Sequence, residues 1–194
     1  MPKRKHHWVM VIDLRKCIGC QSCTVSCKFE NYAPKNFFRT WVSDHEVGEY
    51  PCVHREFLPQ LCNQCEAPAC VPACPVNATW KQDDGIVVID QDKCIGCGSC
   101  VRTCPYGARY LDPVKKKADK CDFCLHRISQ RLLPACVETC VGGARIFGDA
   151  DDPASKVSQL MKTPGIRALN VGAGTKPQIF YIGLEHEVNA TPVR

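Results

Sequence analysis

Large aliphatic residues in this chain come in short, bounded runs rather than long periodic stretches. "WVMVI" at 8–12 and "GIVVI" at 85–89 are each closed by Asp and lead through a turn into a cysteine-rich loop, which predicts two short strands. The polar turn Asp84-Gly85 separates Ala78–Lys81 from Ile86–Asp90 and predicts a hairpin. "QIFYIGL" at 178–184 reads as a further strand. In "DDPASKVSQLMK", Asp152 reads as an N-cap and Pro153 as the first position of a helix. Short helices are also expected after Cys104 and Cys140. Residues 162–177, with "TPG" and "GAGTKP", read as loop.

The pattern repeats. Residues 9–27, "VMVIDLRKCIGCQSCTVSC", match 86–104, "IVVIDQDKCIGCGSCVRTC", at eleven of nineteen positions. "PACVPAC" at 68–74 likewise matches "PACVETC" at 134–140. The order is A-B-A′-B′, an internal duplication.

Composition sharpens this picture. Seventeen of the 194 residues are cysteine. Sixteen fall in four groups: Cys17, Cys20, Cys23 and Cys27; Cys62, Cys65, Cys70 and Cys74; Cys94, Cys97, Cys100 and Cys104; Cys121, Cys124, Cys136 and Cys140. A disulfide scaffold fits poorly. The count is odd, the chain is not short, and Cys-x-x-Cys-x-x-Cys crowds thiols too closely for long-range bridges. Zinc ribbons use separated Cys-x-x-Cys pairs and gain nothing from four thiols in one coil; the fourth group would pass for a zinc site in isolation, but groups one and three would not.

The spacing C-x2-C-x2-C-x3-C instead suits a cubane iron–sulfur cluster. Three thiolates of one loop hold three corners, and the fourth cysteine, expected to face away, serves another cluster. Gly19, Gly96 and Gly98 allow positive φ in the coil, so that N–H groups point at sulfur. Such loops must pair. Residues 62–104 contain the parts of a compact two-cluster ferredoxin, so groups two and three pair, and by elimination groups one and four. The expected ligand sets are Cys17, Cys20, Cys23 and Cys140; Cys121, Cys124, Cys136 and Cys27; Cys62, Cys65, Cys70 and Cys104; and Cys94, Cys97, Cys100 and Cys74. The fold class is α+β, with two ferredoxin-like modules of short strands, short helices and much loop. Residues 1–60 with 105–150 form an outer module, 61–104 an inner one, and 151–194 a C-terminal helix/strand extension.

Formal charge is +5 with cysteines neutral. Sixteen thiolates around four cubes, each site about −2, would bring the loaded protein near −3. The basic excess therefore reads as compensation for cluster charge, not as a nucleic-acid footprint. "MPKRKHHWVMVIDL" is too short in its apolar part for a signal-peptide core, and Asp13 interrupts it; "PKRK" and His6-His7 read as a solvated tail. No segment approaches the length of a bilayer span, so the chain is expected to be soluble and any membrane link to run through a partner. No nucleophile–base pair, acid/base carboxylate pair or phosphate-cradling loop is present. The chain is expected to catalyse nothing alone.

"VIDLRKCIGCQSCTVSCK", "LCNQCEAPACVPACP", "DGIVVIDQDKCIGCGSCVRTCPYGARY", "KCDFCLHR" and "LPACVETCVGGARIFGD" together resemble the four-cluster iron–sulfur subunits of molybdopterin oxidoreductases. The resemblance runs from about residue 8 to 184 and is strongest to tetrathionate, polysulfide and respiratory arsenate reductases, with arsenite oxidases close by. It implies four 4Fe–4S clusters strung between a molybdopterin-containing catalytic subunit and a membrane quinone-handling subunit or c-type cytochrome. It also implies the periplasmic side of a bacterial membrane, reached with an exported partner; the cytoplasm is the alternative. Lys28 and Val141 stand where the family pattern has Pro after the fourth cysteine. A free-standing polyferredoxin and a zinc-stabilised scaffold remain as other readings.

Other residues take ordinary roles. Cys52 reads as a small buried hydrophobe on a strand, and Trp80 and Tyr106 as core packing that shields a cluster. His126 reads as a surface or core histidine ahead of a donor to cluster sulfur. Lys115–Lys117 reads as a solvated loop, with a docking patch for an acidic partner as the second reading.

Overall fold

A computed structural model describes residues 6–184. Its strands and helices in chain order are β1 (Trp8–Asp13), α1 (Ser22–Glu30), β2 (Thr40–Val47), β3 (His54–Leu61), β4 (Thr79–Lys81), β5 (Val87–Ile89), α2 (Ser99–Arg102), β6 (Arg109–Leu111), β7 (Ala118–Lys120), α3 (Leu125–Ile128), α4 (Ala135–Glu138), β8 (Arg145–Asp149), α5 (Lys156–Leu160) and β9 (Ile179–Ile182). The class is α+β, with small sheets and much irregular structure.

Three antiparallel hairpins, β2–β3, β4–β5 and β6–β7, each join one cysteine loop to the next. The first strand then meets the last two. β1 lies at the centre of a three-stranded sheet, antiparallel to β8 (Val11 opposite Ile146) and parallel to β9 (Met10 opposite Ile179).

That position explains why "WVMVI" is a continuous apolar run and not an alternating one: a central strand buried on both faces needs apolar residues at every position. Met10 and Ile12 enter the main core with Tyr106, Phe123 and Tyr181. Val9 and Val11 point the other way and pack with Val157 of α5 and Ile182 of β9. Replacing Ile12 with alanine is expected to cost about 2–5 kcal/mol, the range for emptying a filled core site. The denaturation midpoint measures it, and an unchanged midpoint would show that this core does not hold the fold.

The predicted strands at 8–13, 78–90 and 178–184 are present, and 162–177 is loop apart from a 3-10 turn at Val171–Ala173. Three expectations need correction. The short helices precede Cys104 and Cys140 instead of following them: α2 and α4 deliver those cysteines, and the backbone after each turns straight into β6 or β8. Asp152 caps a turn, its carboxylate accepting from the Ala154 N–H at 2.9 Å, and α5 starts only at Lys156; Pro153 belongs to that turn. His6 and His7 are not a loose tail. His6 stacks on Trp8 and lies 2.8 Å from the Asp149 carboxylate, while the His7 ring meets the Gln178 side chain at 2.6 Å. The "PKRK" segment lies outside the described residues. Among the described residues no helix is long and apolar enough to cross a membrane.

Candidate metal centres

The loops take their shape from left-handed turns. Gly19 and Gly96 have φ of +68° and +70°, a region costly for residues with a Cβ. Space is also closed there: a Cβ on Gly19 would strike the Phe57 ring, and one on Gly96 the Lys116 carbonyl. Gly98 has φ +74°, and its counterpart in the first loop is Gln21, at φ +60°. Gln21 is held there by its side chain, whose oxygen accepts from the Thr24 hydroxyl at 2.9 Å. The hydroxyls of Ser22 and Ser99 lie 3.4 and 3.5 Å from Cys20 and Cys97 Sγ. Those hydroxyls, with nearby backbone N–H groups, hold the two thiols below the ordinary thiol range.

Four thiol sets result. Cys17, Cys20, Cys23 and Cys140 line one small cavity, together with Arg145. Cys62, Cys65, Cys70 and Cys104 line another, together with Tyr106 and Arg109. Cys27 lies among Cys121, Cys124 and Cys136; burial first, then these neighbours, push the Cys27 and Cys121 thiols up. Cys74 has Cys97 of the third loop as its thiol neighbour. In the first three of these sets the fourth cysteine comes from a different loop than the other three, and the Cys74–Cys97 pair joins the second and third loops in the same sense. Elsewhere burial dominates, pushing Cys65 up to about 12 and Cys136 up to about 11.

The crossing works differently from the expectation that the fourth thiol faces away. Cys23 and Cys27 lie one turn apart on α1 and are both buried. A spacing of four keeps two side chains on one helical face, displaced by about 6 Å along the axis. Cys23 therefore meets Cys17, and Cys27 meets the fourth loop.

Backbone donors reach the fourth cysteines. The Ala78 N–H donates to Cys74 Sγ and the Ala144 N–H to Cys140 Sγ, each at 3.2 Å, and Ala108 serves Cys104 in the same way. The turn that aims these donors is closed by Asn77 N–H to the Cys74 carbonyl (3.3 Å), Gly107 to Cys104 (3.3 Å) and Gly143 to Cys140 (3.0 Å). Val141 in place of Pro thus leaves the turn intact. After Cys27 the helix simply continues to Glu30, and a side chain substitutes: Asn31 Nδ2 lies 3.5 Å from Cys27 Sγ and 3.9 Å from Cys124 Sγ. Arg39 holds Asn31, donating to its Oδ1 at 2.7 Å, and forks onto Asp119 at 2.8 and 3.0 Å. The Tyr110 hydroxyl donates to the same carboxylate at 2.6 Å.

Two arginines complete the surroundings. Arg109 and Arg145 are buried, Arg145 Nη1 lies 3.8 Å from Cys136 Sγ, and among the described residues Arg109 Nη1 and Arg145 Nε have no hydrogen-bond partner. A buried guanidinium with spare donors beside clustered thiols suits an anionic group bound among the sulfurs, and thiolate-only donor sets suit iron–sulfur clusters. Among the described residues no three His, Cys, Asp or Glu side chains converge tightly enough for a single metal ion. The thiols surround spaces and do not meet at points.

Several singled-out residues stand elsewhere than expected. Cys52 is exposed, in the β2–β3 connection, because residues 48–55 project beyond the core. Trp80 is 41% exposed on the outer face of β4 and lines neither cysteine cavity. Tyr106 does pack at a site. It lines the Cys62 cavity, its hydroxyl meets Thr175 at 2.6 Å, and burial pushes it up to about 12. His126 lies at the surface, 2.8 Å from the Glu30 carboxylate. Lys115 and Lys116 are exposed, but Lys117 is tied to the Gln91 carbonyl. Asn31, Arg39, Arg109 and Arg145 escape a reading of the residues alone. For the last two a signal exists: Ala-Arg recurs four and five residues after Cys104 and after Cys140.

Loops and thiols of this kind define a ferredoxin-type protein, and family models agree. The 4Fe-4S dicluster domain matches residues 53–150 and the 4Fe-4S binding domain residues 8–29. A tetrathionate reductase subunit of Salmonella typhimurium is 50% identical over 93% of this chain and 74% of its own length. A polysulfide reductase component of Wolinella succinogenes is 39% identical, over 89% and 92%. The arsenate respiratory reductase iron-sulfur subunit of a Shewanella species is 35% identical, over 89% and 94%. The protein belongs to the family of iron–sulfur subunits of molybdenum-dependent reductases.

Proposed function

We propose that the protein holds four 4Fe–4S clusters, one in each thiol set, in two ferredoxin-like modules, and passes single electrons to or from a molybdopterin-containing catalytic subunit. The far end of the path is a membrane quinone-handling subunit or a c-type cytochrome. The carrying observation is the crossing of thiols between loops: three sets each take their fourth cysteine from another loop, and Cys74 of the second loop neighbours Cys97 of the third. When bound, such clusters supply one-electron couples. The protein's own part is to exclude water with Tyr106 and its neighbours and to aim N–H groups at sulfur. It also holds adjacent sites a few residues apart.

Relatives named for tetrathionate, polysulfide and arsenate support a partner that acts on an oxyanion or chain compound of sulfur, or on a related oxyanion of arsenic or selenium. A partner surface is available beside the Cys27 set: Val25, Phe29 and Tyr32 are exposed on and just beyond α1, around an apolar groove shared with Phe38. We assign the protein to the periplasmic side of the membrane, carried by an exported catalytic partner; a twin-arginine leader in that partner's sequence tests this.

Native anaerobic purification with metal analysis tests the reading. About sixteen irons per protein with matching sulfide are expected, in a complex that also contains molybdenum. A lone 21.6-kDa species with full iron would make the protein a free carrier. Zinc without sulfide would overturn the reading altogether.

A further inference from the structure

Arg109 and Arg145 occupy matching places. Each follows an alanine whose N–H faces a fourth cysteine, Cys104 or Cys140. Each opens a strand, β6 or β8, and is deeply buried, with 4% and 3% exposure. Each donates through Nη2 to a threonine hydroxyl: Arg109 to Thr79 at 3.0 Å, Arg145 to Thr40 at 2.8 Å. Each threonine passes its own proton on at 2.6 Å to a carbonyl across its hairpin, Thr79 to Val88 and Thr40 to Gln60. The threonines match as well, heading "TWK" at 79–81 and "TWV" at 40–42. A threonine whose proton is committed to a carbonyl has only lone pairs left to offer, so it fixes the guanidinium without neutralising it.

No carboxylate does so either. Among the described residues neither arginine forms an ion pair, although thirteen other pairs are present. A buried charge without a partner costs several kcal/mol, so the compensating charge must come from the sulfur sites. Each arginine adjoins two of them. Arg109 lines the Cys62, Cys65, Cys70 and Cys104 cavity and also neighbours Cys100 of the third loop. Arg145 lines the Cys17, Cys20, Cys23 and Cys140 cavity and also reaches Cys136.

We propose that Arg109 and Arg145 are twin redox-tuning residues, each fixing one positive charge between two neighbouring cluster sites and holding both of those clusters at a higher reduction potential. The inference rests on the four-cluster reading above. Its physics is direct. One-electron reduction adds a negative charge to a cluster, and a fixed cation a few ångströms away in a low-dielectric core favours the reduced state. Arginine suits the task because it stays charged across the working pH range, so the bias does not vary with pH. One residue acting on two sites shifts both potentials in the same direction, so the energy step between them is little changed.

Anaerobic redox titration of the full-length protein in its native complex, followed by electron paramagnetic resonance, tests this. Arg109→Gln is expected to disfavour reduction of two clusters about tenfold, a fall of about 59 mV for a one-electron couple, and to leave the other two unchanged. Arg145→Gln is expected to do the same to the complementary two. Arg109→Lys, which keeps the charge but loses the fork, is expected to stay within about twofold of wild type. Thr79→Val, which removes the hydrogen bond but not the charge, is expected to behave like the lysine variant. Full iron with unmoved potentials in both Gln variants overturns the proposal, as does an equal shift of all four clusters. If Arg109→Gln fails to load, the lysine variant decides: full loading with near-native potentials upholds the role of charge, and failure to load assigns Arg109 a purely structural one. Wild-type protein with fewer than four clusters would defeat the underlying four-cluster reading instead, and iron analysis registers that separately.

Discussion

Removing Cys104 is expected to disrupt the cluster site of a loop it does not belong to. Cys104→Ala is expected to degrade the site lined by Cys62, Cys65 and Cys70 while the site of Cys94, Cys97 and Cys100 stays whole. Cys104 shares a cavity with the former three, and Cys74 stands beside Cys97. Paired substitutions make the result unambiguous, since changes at one site do not add whereas changes at two sites do. Cys62→Ala with Cys104→Ala should disturb one cluster. Cys97→Ala with Cys104→Ala should disturb two. Iron analysis and spin counting on the reduced protein read the difference, and the opposite outcome would mean that each loop closes its own cluster.

Arg39→Ala is expected to cost about 3–5 kcal/mol, the effect of stranding one member of a buried ion pair. Its fork onto Asp119 is 2.8 and 3.0 Å long, both side chains are largely buried, and Tyr110 donates to the same carboxylate. The loss should also be local. Arg39 positions Asn31, and Asn31 is the donor beside Cys27 and Cys124. The cluster site of Cys27, Cys121, Cys124 and Cys136 should therefore become labile to oxygen before the other three. Arg39→Lys keeps the charge but cannot fork, so an intermediate loss is expected. Thermal unfolding with timed iron release measures both variants; uniform release from all sites would show that the network steadies the whole fold and not one centre.

Much of this was legible in the sequence, since the governing interactions are local. Cysteines three residues apart in a glycine-punctuated coil must converge, and Asp84-Gly85 must turn. The apolar runs at 8–12 and 85–89 must be strands, since they are too short to be buried helices. Other features escaped for physical reasons. Cys52 and Trp80 are residue types that favour burial, but Cys52 lies where a hairpin projects past the core and Trp80 on the outward face of a short strand, and local sequence encodes neither how far a hairpin overhangs nor which face of it is covered. The short helices before Cys104 and Cys140 carry no caps or periodicity; their four residues are helical because the spacing to the next sulfur suits one turn.

The sequence by itself determined the thiol chemistry, the duplication and the strands that frame each loop, because each depends on neighbours within about a dozen residues. Only the tertiary structure decided that β1 pairs with β8 and β9 from the far end of the described sequence, that Asn31 stands in for a backbone donor, and that Arg109 and Arg145 lodge beside two sulfur sites apiece. Those contacts reach well beyond the neighbouring residues, and their partners are selected by burial: a charge or an amide taken out of water must find its complement wherever the folded protein supplies one.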